Sequence, residues 1–225
     1  MRFQDYNLSV EFYRDPFLVV IGRPPRNAPT KVKMTVKLDQ IHWYAERWKG
    51  VKVLVVNTGH WWNEDKTVKM GIYFEEAGVL NVSMSVESAF QKCLQTVAKW
   101  MTENMNDNRS HVLFRSYSPV HYRNGSWNDG GRCDMDRRPE TNYSRLEPDP
   151  LMNHFVLRAV EEMKRGNVNA HFLNITRLSE FRFDGHPSVH REPGTPLPAP
   201  QDCSHWCLPG IPDTWNQILY AQWLQ

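Results

Sequence analysis

Near the end of the chain, Asp202-Cys203-Ser204-His205-Trp206-Cys207-Leu208-Pro209-Gly210 sets a carboxylate three residues ahead of an imidazole, with a cysteine flanking each. A histidine that takes a proton from a hydroxyl needs a partner on its other ring nitrogen, which fixes the tautomer and stabilises the imidazolium. A tight Asp-x-x-His turn supplies that partner locally, so Asp202 and His205 are the candidate orienting carboxylate and general base. Neither Gly-x-Ser-x-Gly nor Gly-Asp-Ser occurs in the 225 residues. Ser116, Ser118 and Ser204, the serines nearest this chemistry, lack a nucleophile's context. The chain thus holds two members of a serine triad without the third. His186 and His190 lie near the turn in sequence, but Cys203-x-His205-x-Cys207 is not zinc-ligand spacing, and no metal site is expected.

Strand and helix signals alternate along the chain, the pattern of an α/β three-layer sandwich around a largely parallel central sheet. Leu8, Val10 and Phe12 alternate with polar residues and predict a strand almost at the start. Residues 38–48 read as a helix, and residues 51–56 as a continuous apolar strand. From Val86, the positions Ala89, Phe90, Cys93, Leu94, Val97, Trp100 and Met101 recur at helical spacing, which makes Cys93 a reduced core residue. A strand over 111–115 leads into a long Gly- and Asn-rich loop. Asp149-Pro150 then reads as N-cap and first turn of a helix whose stripe runs from Met152 to Met163 and stops at Gly166. A strand near 169–173, a Pro-rich loop over 187–200 and a last helix capped by Asp213, docking Trp215, Ile218 and Leu219 on the sheet, complete the series. No repeat or linker interrupts it, so residues 1–225 read as one unit. In open α/β sheets ligands collect at the carboxyl ends of strands, where the 57–63 and 116–133 loops emerge. Asn57, the Gly59 N–H or His60 could donate there to a tetrahedral oxyanion.

Twenty-seven basic and 25 acidic residues give a net charge of +2, and their interspersion argues against a nucleic-acid footprint. Mean hydropathy is −0.61, and the longest apolar runs are far too short to span a bilayer. Six Asn-x-Ser/Thr sequons occur, at Asn7, Asn81, Asn108, Asn124, Asn142 and Asn174, where random placement gives about 1.6. That excess points to a secretory lumen. The first residues, Met-Arg-Phe-Gln-Asp-Tyr-Asn, carry no targeting segment, so the chain reads as starting mid-domain, part of a longer product. Four cysteines allow three full pairings, with Cys133, Cys203 and Cys207 in loop contexts.

Five ordered segments strongly resemble the plant trichome birefringence-like family of PC-esterase, SGNH/GDSL-like proteins. They are Asn57-Thr58-Gly59-His60-Trp61-Trp62; Phe114-Arg115-Ser116-Tyr117-Ser118-Pro119-Val120-His121-Tyr122-Arg123-Asn124-Gly125; Gly130-Gly131-Arg132-Cys133-Asp134; Asp184-Gly185-His186-Pro187-Ser188; and the 202–210 turn. They span the chain in family order. The resemblance implies a Golgi polysaccharide O-acetyltransferase with an SGNH/GDSL-esterase-like fold, of which this chain is the C-terminal portion. It further implies a serine nucleophile in a Gly-Asp-Ser block upstream of Met1, and a luminal catalytic domain held by an N-terminal membrane anchor absent from this chain. Cys133 would pair with Cys203, and Cys207 with a cysteine outside the chain. The partners implied are a cell-wall polysaccharide acceptor (xylan, mannan or pectin) and an acetyl donor such as acetyl-CoA, with no bound cofactor. Trp61, Trp62, Tyr122, Trp127 and Trp206 would wall a carbohydrate groove, although Trp61 and Trp62 read equally as packing residues in a tight turn, and Arg115 and Arg123 could contact an acidic sugar, position the groove, or form surface or structural ion pairs. Three readings stay open: acetyltransferase, polysaccharide acetyl-esterase using the same triad with water, or a catalytically inactive carbohydrate-binding fragment.

Overall fold

A computed structural model of the chain describes residues 1–106, 109–196 and 199–224. Strands β1 (Arg2–Phe3) and β2 (Leu8–Ser9) form a small antiparallel pair. Strands β3 (Val19–Gly22), β4 (Met34–Ile41), β6 (Ile72–Glu76) and β7 (Val79–Asn81) lie side by side in that order, parallel only between β4 and β6. Strands β5 (Val53–Val56), β8 (His111–Arg115) and β9 (Ala170–Leu173) make a separate, wholly parallel sheet. The α/β class therefore holds, but the strands are divided between a mixed and a parallel sheet instead of forming one largely parallel sheet.

Two amphipathic helices follow from their periodic stripes. Helix α1 (Val86–Asn104) buries Ala89, Phe90, Cys93, Leu94, Val97, Ala98 and Met101, and α2 (Leu151–Arg165) buries Phe155, Val156, Ala159, Val160 and Met163. They pack on one another, and Gly166 marks the closest approach, since a Cβ there would stand 2.3 Å from Thr102. The Cys93 thiol is fully buried, donates to the Phe17 carbonyl at 3.1 Å and is pushed well up in pKa by burial, an inert core residue. Ser85 caps α1 by accepting the Ser88 N–H at 3.2 Å. Ser85→Ala is expected to cost about 1 kcal/mol in urea unfolding. An unchanged midpoint would mean that water replaces this cap.

Helix α2 begins one residue later than the Asp-Pro reading: Pro150 is the extended N-cap, and Asp149 accepts from the Asn153 side chain at 2.7 Å. Residues 38–48 are not a helix. β4 runs to Ile41, followed by a 3-10 turn at Trp43–Arg47, because Val36 and Leu38 alternate into the core between two hydrogen-bonded neighbours. Near the start the strand is only Leu8–Ser9, with Val10 exchanging backbone hydrogen bonds with Met1, and Val10 and Phe12 stay exposed.

Alternation along β8 and β9 places different side chains on the two faces of the parallel sheet. Val112, Phe114 and Ala170 join the main core with α1 and α2. Leu113 and Leu173 point the other way, and with Ile175 at the start of α3 (Thr176–Glu180) they pack against Trp215, Ile218 and Leu219 of α4 (Ile211–Trp223). Asp213 caps α4 from its third position, accepting the Gly210 N–H at 2.7 Å. The carboxyl ends of β5, β8 and β9 thus open beside the turn that precedes α4.

Candidate active site

Asp202 and His205 meet as their spacing requires. His205 Nδ1 stands 2.9 Å from Asp202 Oδ2, while Asp202 Oδ1 accepts from the Ser204 N–H, the Ser204 hydroxyl and the His205 N–H at 3.0–3.2 Å. Burial alone would raise the Asp202 pKa, but the two backbone N–H groups and the His205 imidazole outweigh it, and the carboxyl titrates below its usual range. Asp202 is therefore an acceptor, His205 Nδ1 carries a hydrogen toward it, and among the described residues Nε2 makes no hydrogen bond, on a side chain that is 82% exposed. Arg191 approaches the same carboxylate at 3.6 Å.

The turn is pinned from several sides. A Cys133–Cys203 disulfide ties it to the long loop across 70 residues, while Cys207 is a free, exposed thiol. With Cys203 bonded to Cys133, its sulfur is no metal ligand. The His121 N–H donates to the Cys203 carbonyl at 2.9 Å, and His186 Nδ1 donates to the His205 carbonyl at 2.6 Å. Trp206 lies over His186 at 4.2 Å and against Trp215 at 5.8 Å. It is part of the packing behind the turn, and its buried Nε1 has no hydrogen-bond partner among the described residues.

At the ends of β5 and β8, Arg115 is buried, and its Nε and Nη2 both donate to Asn57 Oδ1. A guanidinium only donates, so the Asn57 atom facing it is the oxygen, and the amide N–H groups are directed away from Arg115. Exposed Asn57 is thereby held as a donor, the chemistry an oxyanion needs. Burial brings the Arg115 pKa down to about 10; the guanidinium lies 5.2 Å from the Trp215 ring, and its Nη1 has no hydrogen-bond partner among the described residues. Arg115 is thus a corrected assignment: it supports Asn57 from below and is not on the surface to meet a sugar.

Gly59 turns the chain at φ +138°, against the Tyr117 ring, and His60 stacks on that ring at 4.1 Å. His60 Nε2 is occupied by the Ser118 hydroxyl at 2.9 Å. Burial, then the charges of Arg115 and His205, bring its pKa to about 4, so the ring is neutral. Trp62 is a second correction. It is 2% exposed and packed among Phe17, Phe74 and Phe90, a core residue and no groove wall. Trp61 and Trp127 are exposed, with the Lys66 ammonium 5.7 and 4.6 Å from their rings. Tyr122 is part-buried, and Arg123 is committed to Asp136 through a two-pronged ion pair. Among the described residues no serine hydroxyl hydrogen-bonds His205. Ser116 is held by Ile175 and Thr176, Ser118 by His60 and Ser204 by Asp202.

The Ser118–His60 contact and the His121–His186 pair behind the turn escaped the residue-by-residue reading, because each joins positions about 60 apart in sequence. Of the sequons, Asn7, Asn81, Asn124, Asn142 and Asn174 are exposed, and Asn108 lies outside the described residues.

Neutral His60 and His186 make a pH prediction. Burial is the main cause that lowers His186 to about 4 as well, against an ordinary 6.5. The unfolded chain binds more protons than the folded one between those values, so stability is full above pH 6.5 and falls as pH drops toward 4. Each ring contributes at most roughly 3 kcal/mol to that loss. Urea midpoints that match at pH 7 and pH 4.5 would contradict it.

Comparison with known proteins places these residues in a family context. The family described as "PC-Esterase: GDSL/SGNH-like Acyl-Esterase family found in Pmr5 and Cas1p" matches residues 1–222. The chain is 56% identical over 224 residues to "Protein trichome birefringence-like 9" of Arabidopsis thaliana, covering 100% of this chain and 54% of that protein. It is 44% identical over 228 residues to "Protein trichome birefringence" of the same plant, covering 98% of this chain and 36% of that protein. "Protein trichome birefringence-like 1" is 43% identical over 229 residues, 99% of this chain and 40% of that relative. The chain spans about half the length of these relatives or less.

Proposed function

The chain belongs to the PC-esterase family, and on that premise we propose that it supplies the acid–base half of a polysaccharide O-acetyltransferase. The observation that carries this reading is the Asp202–His205 pair, 2.9 Å apart, with an imidazole whose second nitrogen is unengaged among the described residues. The nucleophilic serine comes from outside these 225 residues. His205 Nε2 takes the serine proton as the serine oxygen attacks the acetyl carbonyl of a donor such as acetyl-CoA. The resulting oxyanion is met by the Asn57 amide. Collapse expels the donor's leaving group, which receives the proton from His205. A sugar hydroxyl, deprotonated by the same nitrogen, then attacks the acetyl-serine, and the serine departs with that proton. Exposed Trp61 and Trp127 offer aromatic faces for the acceptor, a plant cell-wall polysaccharide. On this reading the parallel sheet, with α1 and α2 on one face and α4 on the other, belongs to a three-layer SGNH/GDSL sandwich. Exposed sequons and a disulfide fit an oxidising Golgi lumen.

One observation favours the esterase reading: an imidazole 82% exposed is open to water, which competes with a sugar hydroxyl. The longer, serine-bearing protein should be given an isotope-labelled acetyl donor and a xylan, mannan or pectin oligosaccharide. Label in the oligosaccharide supports transfer, label only in free acetate supports hydrolysis, and retention of oligosaccharide without either product leaves a binding protein.

A further inference from the structure

The acidic-sugar contact considered for Arg115 and Arg123 falls to neither, since Arg115 is buried and Arg123 is committed to Asp136. Further along the same loop, residues 135–140, Arg145 and the buried Phe183 line an open cleft of about 290 Å³. Its two carboxylates are both taken. Asp136 receives Arg123 at 2.6 and 3.0 Å, and Glu140 receives Arg145 at 2.6 Å. The Phe183 ring lies 4.8 Å from the Arg123 guanidinium and 6.0 Å from that of Arg145, which helps to fix where both stand. Arg137 and Arg138 are left without a counter-charge: both are exposed, and among the described residues neither side chain makes a hydrogen bond or an ion pair.

The cleft is bolted to the Asp202–His205 turn. Cys133 is bonded to Cys203, with 5.9 Å between their Cα atoms, and the Cys133 and Asp134 N–H groups both donate to Gln201 Oε1, at 2.8 and 3.1 Å. Through that disulfide the Arg137 and His205 Cα atoms are at most about 30 Å apart, so an oligosaccharide of several units lying in the cleft reaches the imidazole. Pro139 restricts the backbone of Arg138 to extended conformations, which stiffens the segment that presents the pair. Two adjacent guanidiniums with no acid of their own suit a ligand of repeated negative charge, and the planar fork of arginine matches a carboxylate with two parallel hydrogen bonds. A neutral sugar leaves both charges uncompensated.

We propose that this cleft is a carboxylate subsite for the acceptor: Arg137 and Arg138 hold uronate carboxylates, which makes the acceptor an acidic, uronate-bearing polysaccharide and this pair its specificity-determining residues. The statement rests on the reading of the chain as part of a polysaccharide O-acetyltransferase. It narrows the acceptor from plant cell-wall polysaccharides at large to the polyanionic ones. Methyl esterification of the uronates removes their charge, keeps the sugar backbone and abolishes the contact, and added salt weakens it by screening.

The test is titration calorimetry of the longer, serine-bearing protein and its R137Q/R138Q variant with an oligogalacturonide, its fully methyl-esterified form and a xylo-oligosaccharide of equal length. Wild type is expected to bind the oligogalacturonide about tenfold tighter than either neutral probe, with the preference shrinking as salt is raised, and the variant to lose that preference. Acid and ester bound equally by wild type, or an unchanged preference in the variant, overturns the proposal. An unchanged preference in a variant that has lost affinity for coenzyme A would assign the cleft to the donor's phosphates instead. Should the variant fail to fold, the wild-type comparison of acid with ester decides. Acetyl transfer to xylan without any uronate preference would remove the subsite and leave the acetyltransferase reading standing. Arginine-dependent binding of the oligogalacturonide by a protein that transfers acetyl to no acceptor would refute that reading and leave the cleft as a site for acidic sugar.

Discussion

On the proposed acetyltransferase reading, Asp202→Asn is expected to lower acetyl transfer about 10,000-fold in a longer, serine-bearing protein while leaving it folded. The local geometry dictates the mechanism of the loss. Asp202 Oδ1 serves three donors, the Ser204 N–H, the Ser204 hydroxyl and the His205 N–H. An asparagine keeps its oxygen in that position, since its amide nitrogen cannot accept. Its N–H₂ then replaces Oδ2 and donates to His205 Nδ1, which forces the ring hydrogen onto Nε2. The base is left with no lone pair for the serine proton, although the turn keeps its shape. Circular dichroism unchanged from wild type, together with a kcat reduced on this scale, is the expected pair of results. Activity within tenfold of wild type would remove Asp202 from the mechanism.

Replacing both Cys133 and Cys203 by serine is expected to destabilise the protein by about 4 kcal/mol, the loop-closure entropy restored to an unfolded chain cross-linked across 70 residues. Few single contacts contribute as much, and this one adjoins Asp202 directly. The loop from 116 to 133 would then hold the Asp202–His205 turn through weaker contacts such as the hydrogen bond from the His121 N–H to the Cys203 carbonyl and the His121 ring against Trp206 at 5.8 Å. A reductant should therefore lower the urea midpoint of wild type toward that of the double variant and leave the double variant unmoved. Equal midpoints for wild type with and without reductant would contradict this account of what secures the turn.

The features legible in the sequence are those decided locally. The stripes of α1 and α2 repeat every three or four residues over about three turns or more, so their buried faces can be read directly. Asp202 and His205 lie three apart in one turn, and their meeting needs no tertiary information. Four residues of alternation were too short to separate β4 from a helix, and β3, β6, β7 and α3 carried no comparable signal. Side-chain destination was the harder question. Trp61 and Trp62 are the same residue type in adjacent positions, yet the turn at Gly59 sends one outward and the other into the core. Arg115 ends a parallel strand buried on both faces, where the sequence left contact with a sugar and a structural role both open. The His121–His186 contact joins two separate loops, and no spacing rule connects them.

The central claim is that His205 activates a serine that lies outside residues 1–225. A fluorophosphonate probe, which bonds only to an activated serine, should be applied to the longer protein and to its His205→Gln variant, and the modified residue read by peptide mass spectrometry. The account predicts one labelled serine, outside this chain, with labelling lost in the variant. Labelling of Ser116, Ser118 or Ser204, or labelling that survives His205→Gln, would contradict it.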